Sequence, residues 1–173
     1  MSAPEFSRMV RLRPLPQEPV ELIPGASERA ALAVRFDVTE VSSLVARVSL
    51  GDDGKAVTGE GTLEADIIQA CAISGDDFPV RISEKLALRF VPAGAVPEVP
   101  DAEIELDPNE LDDIEYSGDS FDLGEAVAQS LGLAIDPYAE GPNADAVRKK
   151  AGIVTDDTPS GPLAEALSAL KKG

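Results

Sequence analysis

The side chains able to do chemistry here are few in kind: one cysteine, Cys71, no histidine, and 32 carboxylates against 15 Lys and Arg. A thiol nucleophile needs a base or a low-pKa environment. Cys71 has no imidazole to call on, and Asp76 and Asp77 nearby would raise its pKa if they act at all. It therefore reads as a small buried hydrophobe. The same census excludes His-ligated zinc, a metal centre built on several cysteines and an internal disulfide within one chain. Gly59-Glu60-Gly61 lacks the Lys-Ser/Thr or further glycine that would make a phosphate-binding loop. Paired carboxylates for acid–base or glycosidic chemistry need a pocket and a set separation. With so many acids, pairs occur everywhere and their spacing carries no signal.

The acid cluster from Asp107 to Asp122 is the one place where a cation reading can be tested. An EF-hand loop wants oxygen ligands at positions 1, 3, 5 and 12 with Gly at 6. Counting from Asp113 puts Asp113, Glu115, Ser117 and Gly118 in register, but position 12 is Gly124, and Glu125 misses by one. No metal ligand and no cofactor are assigned. A small cation-dependent hydrolase stays only as an alternative of a different class.

The 173 residues carry a formal net charge of −17, and its distribution is uneven. Residues 1–89 hold 14 acids and 10 bases, a net of −4; residues 148–173 hold 3 acids and 5 bases, a net of +2. Between them, residues 90–147 hold 15 acids and no Lys or Arg. Such a stretch has three readings: a solvated surface that keeps the chain soluble, a face complementary to a basic partner, or a mimic of nucleic acid. On the second reading the partner-binding candidates are Glu103, Glu105, Glu110, Asp112, Asp113, Glu115 and Asp119. Nucleic-acid affinity comes mainly from Lys and Arg on phosphates, so direct RNA contact should be weak or indirect, with Arg8, Arg11 and Arg13 as a minor source.

The elements that must position these groups follow from periodicity. Arg8 to Arg13 alternates basic and apolar, which suits a half-buried strand presenting its three arginines on one face. Ser27 is placed to cap a short helix beginning at Glu28. Leu44–Leu50 is a strand, Gly51-Asp52-Asp53-Gly54 a hairpin turn, and the returning strand runs from Ala56 to Ala65 or beyond. Val80–Val91, with Ile82, Leu86, Leu88 and Phe90, reads as a further strand ending at Pro92, although helical spacing also fits part of that run. Residues 92–101 carry three prolines and read as an exposed connection. Glu103–Asp107 alternates acid and aliphatic as a charged edge strand would, and Asn109–Asp119 reads as an acidic loop. Asp122 with Glu125 resembles a capping box for a helix whose Leu123, Val127, Leu131 and Ala134 share one face, and Asp136-Pro137 stops it. Residues 154–161 form a linker. Pro162 opens a terminal helix with Leu163, Leu167 and Leu170 in a narrow stripe. With 24 alanines and seven aromatics, the core must rest on Val, Ile and Leu.

Three stretches together are similar to the YceD-type family of bacterial proteins, the large ribosomal RNA subunit accumulation proteins. They are Glu64–Cys71 leading to Pro79-Val80, the acidic segment ending in Asp119–Glu125, and Gln129–Tyr138. The family-motif positions are Cys71, Pro79, Val80, Asp122, Leu123, Leu131, Leu133 and Pro137. The likeness spans about residues 60–172, with the Pro162–Lys171 stretch similar to a short tail of some members. Many members carry paired cysteines near this point; here Cys71 stands alone, so any zinc role does not transfer. The resemblance implies a part in the synthesis, processing or stability of large-subunit ribosomal RNA (23S rRNA accumulation), with no catalytic residues to carry over.

These readings converge on an α+β chain: a mainly antiparallel sheet, a packed amphipathic helix and a short C-terminal tail helix. Residues 1–152 form one domain with an acidic segment at 98–122, and residues 153–173 are linker and tail. The expected function is that of a non-enzymatic, bacterial ribosome-biogenesis accessory factor binding a basic ribosomal protein or an RNA-processing enzyme, with a general acidic adaptor as the alternative. Met1–Ile23 has no apolar h-region, no apolar run approaches a membrane span, and a lone cysteine fits a reducing compartment. The expected location is cytoplasmic.

Overall fold

The computed structural model describes residues 3–94 and 113–152, with Ala166, Ala169 and Leu170 in a helical segment near the C-terminus. The expected Glu103–Asp107 edge strand, the 154–161 linker and the Leu163–Leu167 part of the tail stripe lie outside the described residues. In chain order the elements are β1 (Met9–Arg11), β2 (Val20–Leu22), α1 (Ala26–Arg35), β3 (Glu40–Asp52), β4 (Val57–Ala70), β5 (Asp77–Pro92), β6 (Asp113–Tyr116), β7 (Ser120–Asp122), α2 (Leu123–Ala134) and α3 (Ala144–Ala151). One sheet has the order β2-β3-β4-β5-β6, and β1 pairs with β7 in a second, two-stranded sheet. The fold is α+β with a mainly antiparallel sheet, as expected. By its internal contacts the chain forms two compact units, Met1–Gln69 with Pro79–Asp136, and Ala70–Phe78 with Pro137–Gly173.

The β3–β4 hairpin is the backbone of the first unit, paired antiparallel from Glu40↔Ile68 to Asp52↔Val57. Its turn is held by short acid side chains: Asp52 accepts the Gly54 N–H at 2.8 Å, and Asp53 accepts those of Lys55 at 2.8 Å and Ala56 at 2.7 Å. Asx bonds of this kind are why Asp favours turns, and Gly54 takes φ +87°, a region open chiefly to glycine. A bulge between Val41 and Ser43 shifts the inward phase from odd to even, so Val41, Leu44, Ala46 and Val48 are all buried. Across the ladder, a Cβ on Gly61 would lie 1.8 Å from the Arg47 carbonyl oxygen. The Gly59-Glu60-Gly61 run is therefore a close approach between strands, with no room for a side chain at Gly61.

The inward rows of β3, β4 and β5 form one buried cluster with Leu32 of α1, Leu123, Val127 and Leu131 of α2, and Phe6, Phe90 and Phe121. Phe90 and Phe121 stack with centroids 4.2 Å apart. On the opposite face, Arg47 pairs with Glu21 at 2.7 Å and Arg81 with Glu64 and Asp66 at 3.7 Å. Exposed pairs like these add a few tenths of a kcal/mol each but favour correct strand neighbours.

Four expectations need correction. The arginines of the first strand do not share a face: Arg8 lies against Phe6 with its guanidinium 4.6 Å from the ring centroid, whereas Arg11 is exposed. Residues 8 and 11 are an odd number apart, so a period of two puts them on opposite faces. Helix α1 is capped at Gly25 and not at Ser27, because the Glu28 carboxylate reaches back to accept the Gly25 N–H at 2.7 Å. The 109–119 acidic loop is not wholly a loop. Its middle holds β6, parallel to β5 from Arg89↔Asp113 to Pro92↔Tyr116, with Ile114 and Tyr116 packed against the core. Finally, α3 stands in a stretch that gave no expected element; Asp145 in its first turn, Arg148-Lys149-Lys150 in its last and Gly152 in a left-handed C-cap are ordinary helix-end signals.

Candidate functional site

Of the acidic candidates, Glu103, Glu105, Glu110 and Asp112 lie outside the described residues. The structure separates the rest into structural and exposed acids. Asp113, at the head of β6, is bound by the Arg89 guanidinium at 3.2 and 3.3 Å, which neutralises both and joins β6 to β5. Glu115 and Asp119 are exposed. Asp119 sits in the tight β6–β7 turn beside Gly118 at φ +83°, and its carbonyl accepts the Leu12 N–H at 2.9 Å. This strand–turn–strand course is not the looped cage of an EF-hand. Among the described residues no group of three or more Cys, Asp or Glu is placed to hold a metal ion.

Asp122 and Glu125, further along the acidic stretch, are engaged inside the fold. Asp122 caps α2 by accepting the Glu125 N–H at 3.1 Å, and also accepts the Ser7 hydroxyl at 2.6 Å and the Arg8 N–H at 2.8 Å. The capping box expected here is half made, because the Glu125 carboxylate turns instead to Arg35 at 2.8 and 2.9 Å. That bond, chiefly, lowers the Glu125 pKa and raises that of Arg35. Beside it, Arg8 forks onto both oxygens of Glu28 at 2.7 and 2.9 Å. The Arg8 hydrogen bonds, with the Gly25 N–H second, hold the Glu28 carboxyl at about 2, well below the carboxylate range. The Arg8 pair fastens the N-terminal segment to α1, and the Arg35 pair fastens α1 to α2. A Cβ on Gly124 would meet the Arg8 nitrogen at 2.6 Å and the Phe6 oxygen at 2.9 Å, so that segment runs directly over the first turn of α2.

Cys71 opens the β4–β5 loop and is buried, as expected for a small hydrophobe. Its pKa is not raised, however. The Ser74 hydroxyl foremost, then the N–H groups of Ser74, Gly141 and Ile73, draw it down from 9.0 to about 7 against the opposing effect of burial. The Ile73 and Ser74 nitrogens stand 3.4 and 3.3 Å from Sγ. Neither Asp76 nor Asp77 is among the groups that shift the thiol; the loop turns back on itself, with Gly75 donating to the Cys71 carbonyl at 2.9 Å, and lays the Ile73 and Ser74 N–H groups on the sulfur. Sequence could have found the polar turn Ser74-Gly75-Asp76 but not the direction of its N–H groups.

The remaining motif positions are dispersed. Pro79 is exposed and Val80 half-buried on β5, Leu123 and Leu131 are in the core, and Leu133 and Pro137 are exposed. Leu133 is 89 % exposed and overhangs two shallow clefts of about 250 and 320 Å³ between α2 and β5, lined by Leu88, Ser130 and Leu133 among others. A third cleft, of about 340 Å³, lies beside α1 near Val34 and Val38. Each of the three contains a single carboxylate: Glu84, Asp113 and Glu40 respectively. None assembles the paired acids that acid–base hydrolysis needs. Sequence reasoning missed Gln69, which is buried, donates Nε2 to the Asp136 carbonyl at 2.8 Å and leaves Oε1 without a hydrogen bond. No helix of the described residues is long and apolar enough to cross a membrane. The family models, the curated proteins and the solved structures compared with this chain give no match.

Proposed function

We propose that this protein is an accessory factor in the synthesis, processing or stability of large-subunit ribosomal RNA. It acts by binding basic proteins and not by catalysis, and it works in the cytoplasm, where a single cysteine stays reduced. The observation that carries the binding reading is the charge segregation: 15 acids and no base over residues 90–147, with Glu115 and Asp119 exposed among its described residues. The ribosomal context rests on the three stretches that resemble the YceD-type family. A surface so depleted in Lys and Arg is poorly suited to grip phosphates, and well suited to steer a basic ribosomal protein or RNA-processing enzyme into contact.

The structure shapes the test. Asp113 must be spared, since its Arg89 pair joins two strands, and so must the scaffold acids Asp122 and Glu125. The variant to make is Glu110→Gln, Asp112→Asn, Glu115→Gln and Asp119→Asn together. Tagged wild type and variant are purified from cells at two salt concentrations, with both RNA and protein read out. The expected result is co-purification of pre-ribosomal large-subunit particles with wild type, weakened by salt and by the variant. Equal recovery with both chains reduces the acidic stretch to solvation. Recovery of a basic protein without ribosomal RNA replaces the ribosomal role with that of a general adaptor.

A further inference from the structure

We draw no further inference here: the strongest candidate, the shallow cleft between α2 and β5 beneath the exposed Leu133, carries nothing because no feature of the structure shows what covers it.

Discussion

Replacing Asp122 with alanine tests the junction on which the first unit depends. The carboxylate accepts three hydrogen bonds from three places in the chain: the Ser7 hydroxyl, the Arg8 N–H and the Glu125 N–H. Loss of an N-cap costs about 1 kcal/mol. The Arg8 N–H is left facing the first turn of α2, and a part-buried donor without a partner costs roughly 1–2 kcal/mol more. Ser7 can turn toward water and adds a few tenths. The expected loss is about 2–3 kcal/mol, a large share of the ~5–15 kcal/mol typical of a domain. Urea unfolding followed by circular dichroism measures it as a lower midpoint at unchanged slope. Asp122→Asn keeps an oxygen on the cap and one acceptor for Arg8, so it should lose no more than about half as much. An Asp122→Ala cost under ~0.5 kcal/mol, or an asparagine variant as damaged as the alanine one, would refute the three-bond role of this carboxylate.

Three further substitutions probe separate parts of the structure. Gly61→Ala places a methyl 1.8 Å from the Arg47 carbonyl oxygen and should destabilise by more than ~3 kcal/mol, since overpacking against backbone has little room to relax; a soluble variant with wild-type melting would contradict the close approach. The Glu28 carboxyl, lowered from 4.5 to about 2, contributes stability present above pH 4.5 and lost as pH falls toward 2. Because the Arg8 and Glu28 side chains are 39 and 27 % exposed, screening reduces this to ~1 kcal/mol. Glu28→Gln should flatten that part of the pH–stability curve, and an unchanged curve counts against the pair. The Cys71 thiol should titrate near 7 in the folded chain by ultraviolet thiolate absorbance, so stability from this group grows between pH 7 and 9 and is lost as pH falls through 7. Ser74→Ala should move that midpoint upward, and a wild-type midpoint at 9 or above would sink the assignment.

What was legible in the sequence was what repeats at short range. The amphipathic stripe Leu123, Val127, Leu131 is the buried face of α2, and Asp122 is its cap, because both depend on spacing within four residues. The β3–β4 hairpin was legible for the same reason, its turn being specified by Asp52, Asp53 and Gly54. Pairings that join distant parts of the chain were not legible. Nothing at position 89 announces that Arg89 will meet Asp113 and turn part of an acidic loop into a parallel strand. Glu28 reads in the sequence as the first turn of a helix, yet its carboxylate both caps Gly25 and is gripped by Arg8, twenty residues earlier. The Cys71 pKa turned on loop N–H directions, which no spacing rule encodes. Gly61 appeared only as a fragment of a failed phosphate motif, because the strand it presses against lies across the hairpin.

The structure also changes what the acidic stretch means electrically. A count of 15 acids treats every carboxylate alike, but Asp113 and Glu125 are each matched by a guanidinium within 3.3 Å, and a matched pair projects only a dipole beyond its own vicinity. Asp122 sits at the N-terminus of α2, where the helix dipole and three hydrogen-bond donors face its carboxylate. Among the described residues the long-range field of the 113–125 stretch therefore comes chiefly from Glu115 and Asp119. If a basic partner is recruited electrostatically, neutralising those two should slow its association and reduce the salt dependence of the rate, while leaving dissociation nearly unchanged, as loss of steering charges does. Neutralising Asp113 should instead release Arg89 and loosen β6, lowering stability along with binding. Measuring association, dissociation and melting for Glu115→Gln with Asp119→Asn, and separately for Asp113→Asn, distinguishes a steering charge from a scaffolding one. Equal behaviour of the two variants in all three measurements would mean that the division between exposed and engaged carboxylates has no functional content.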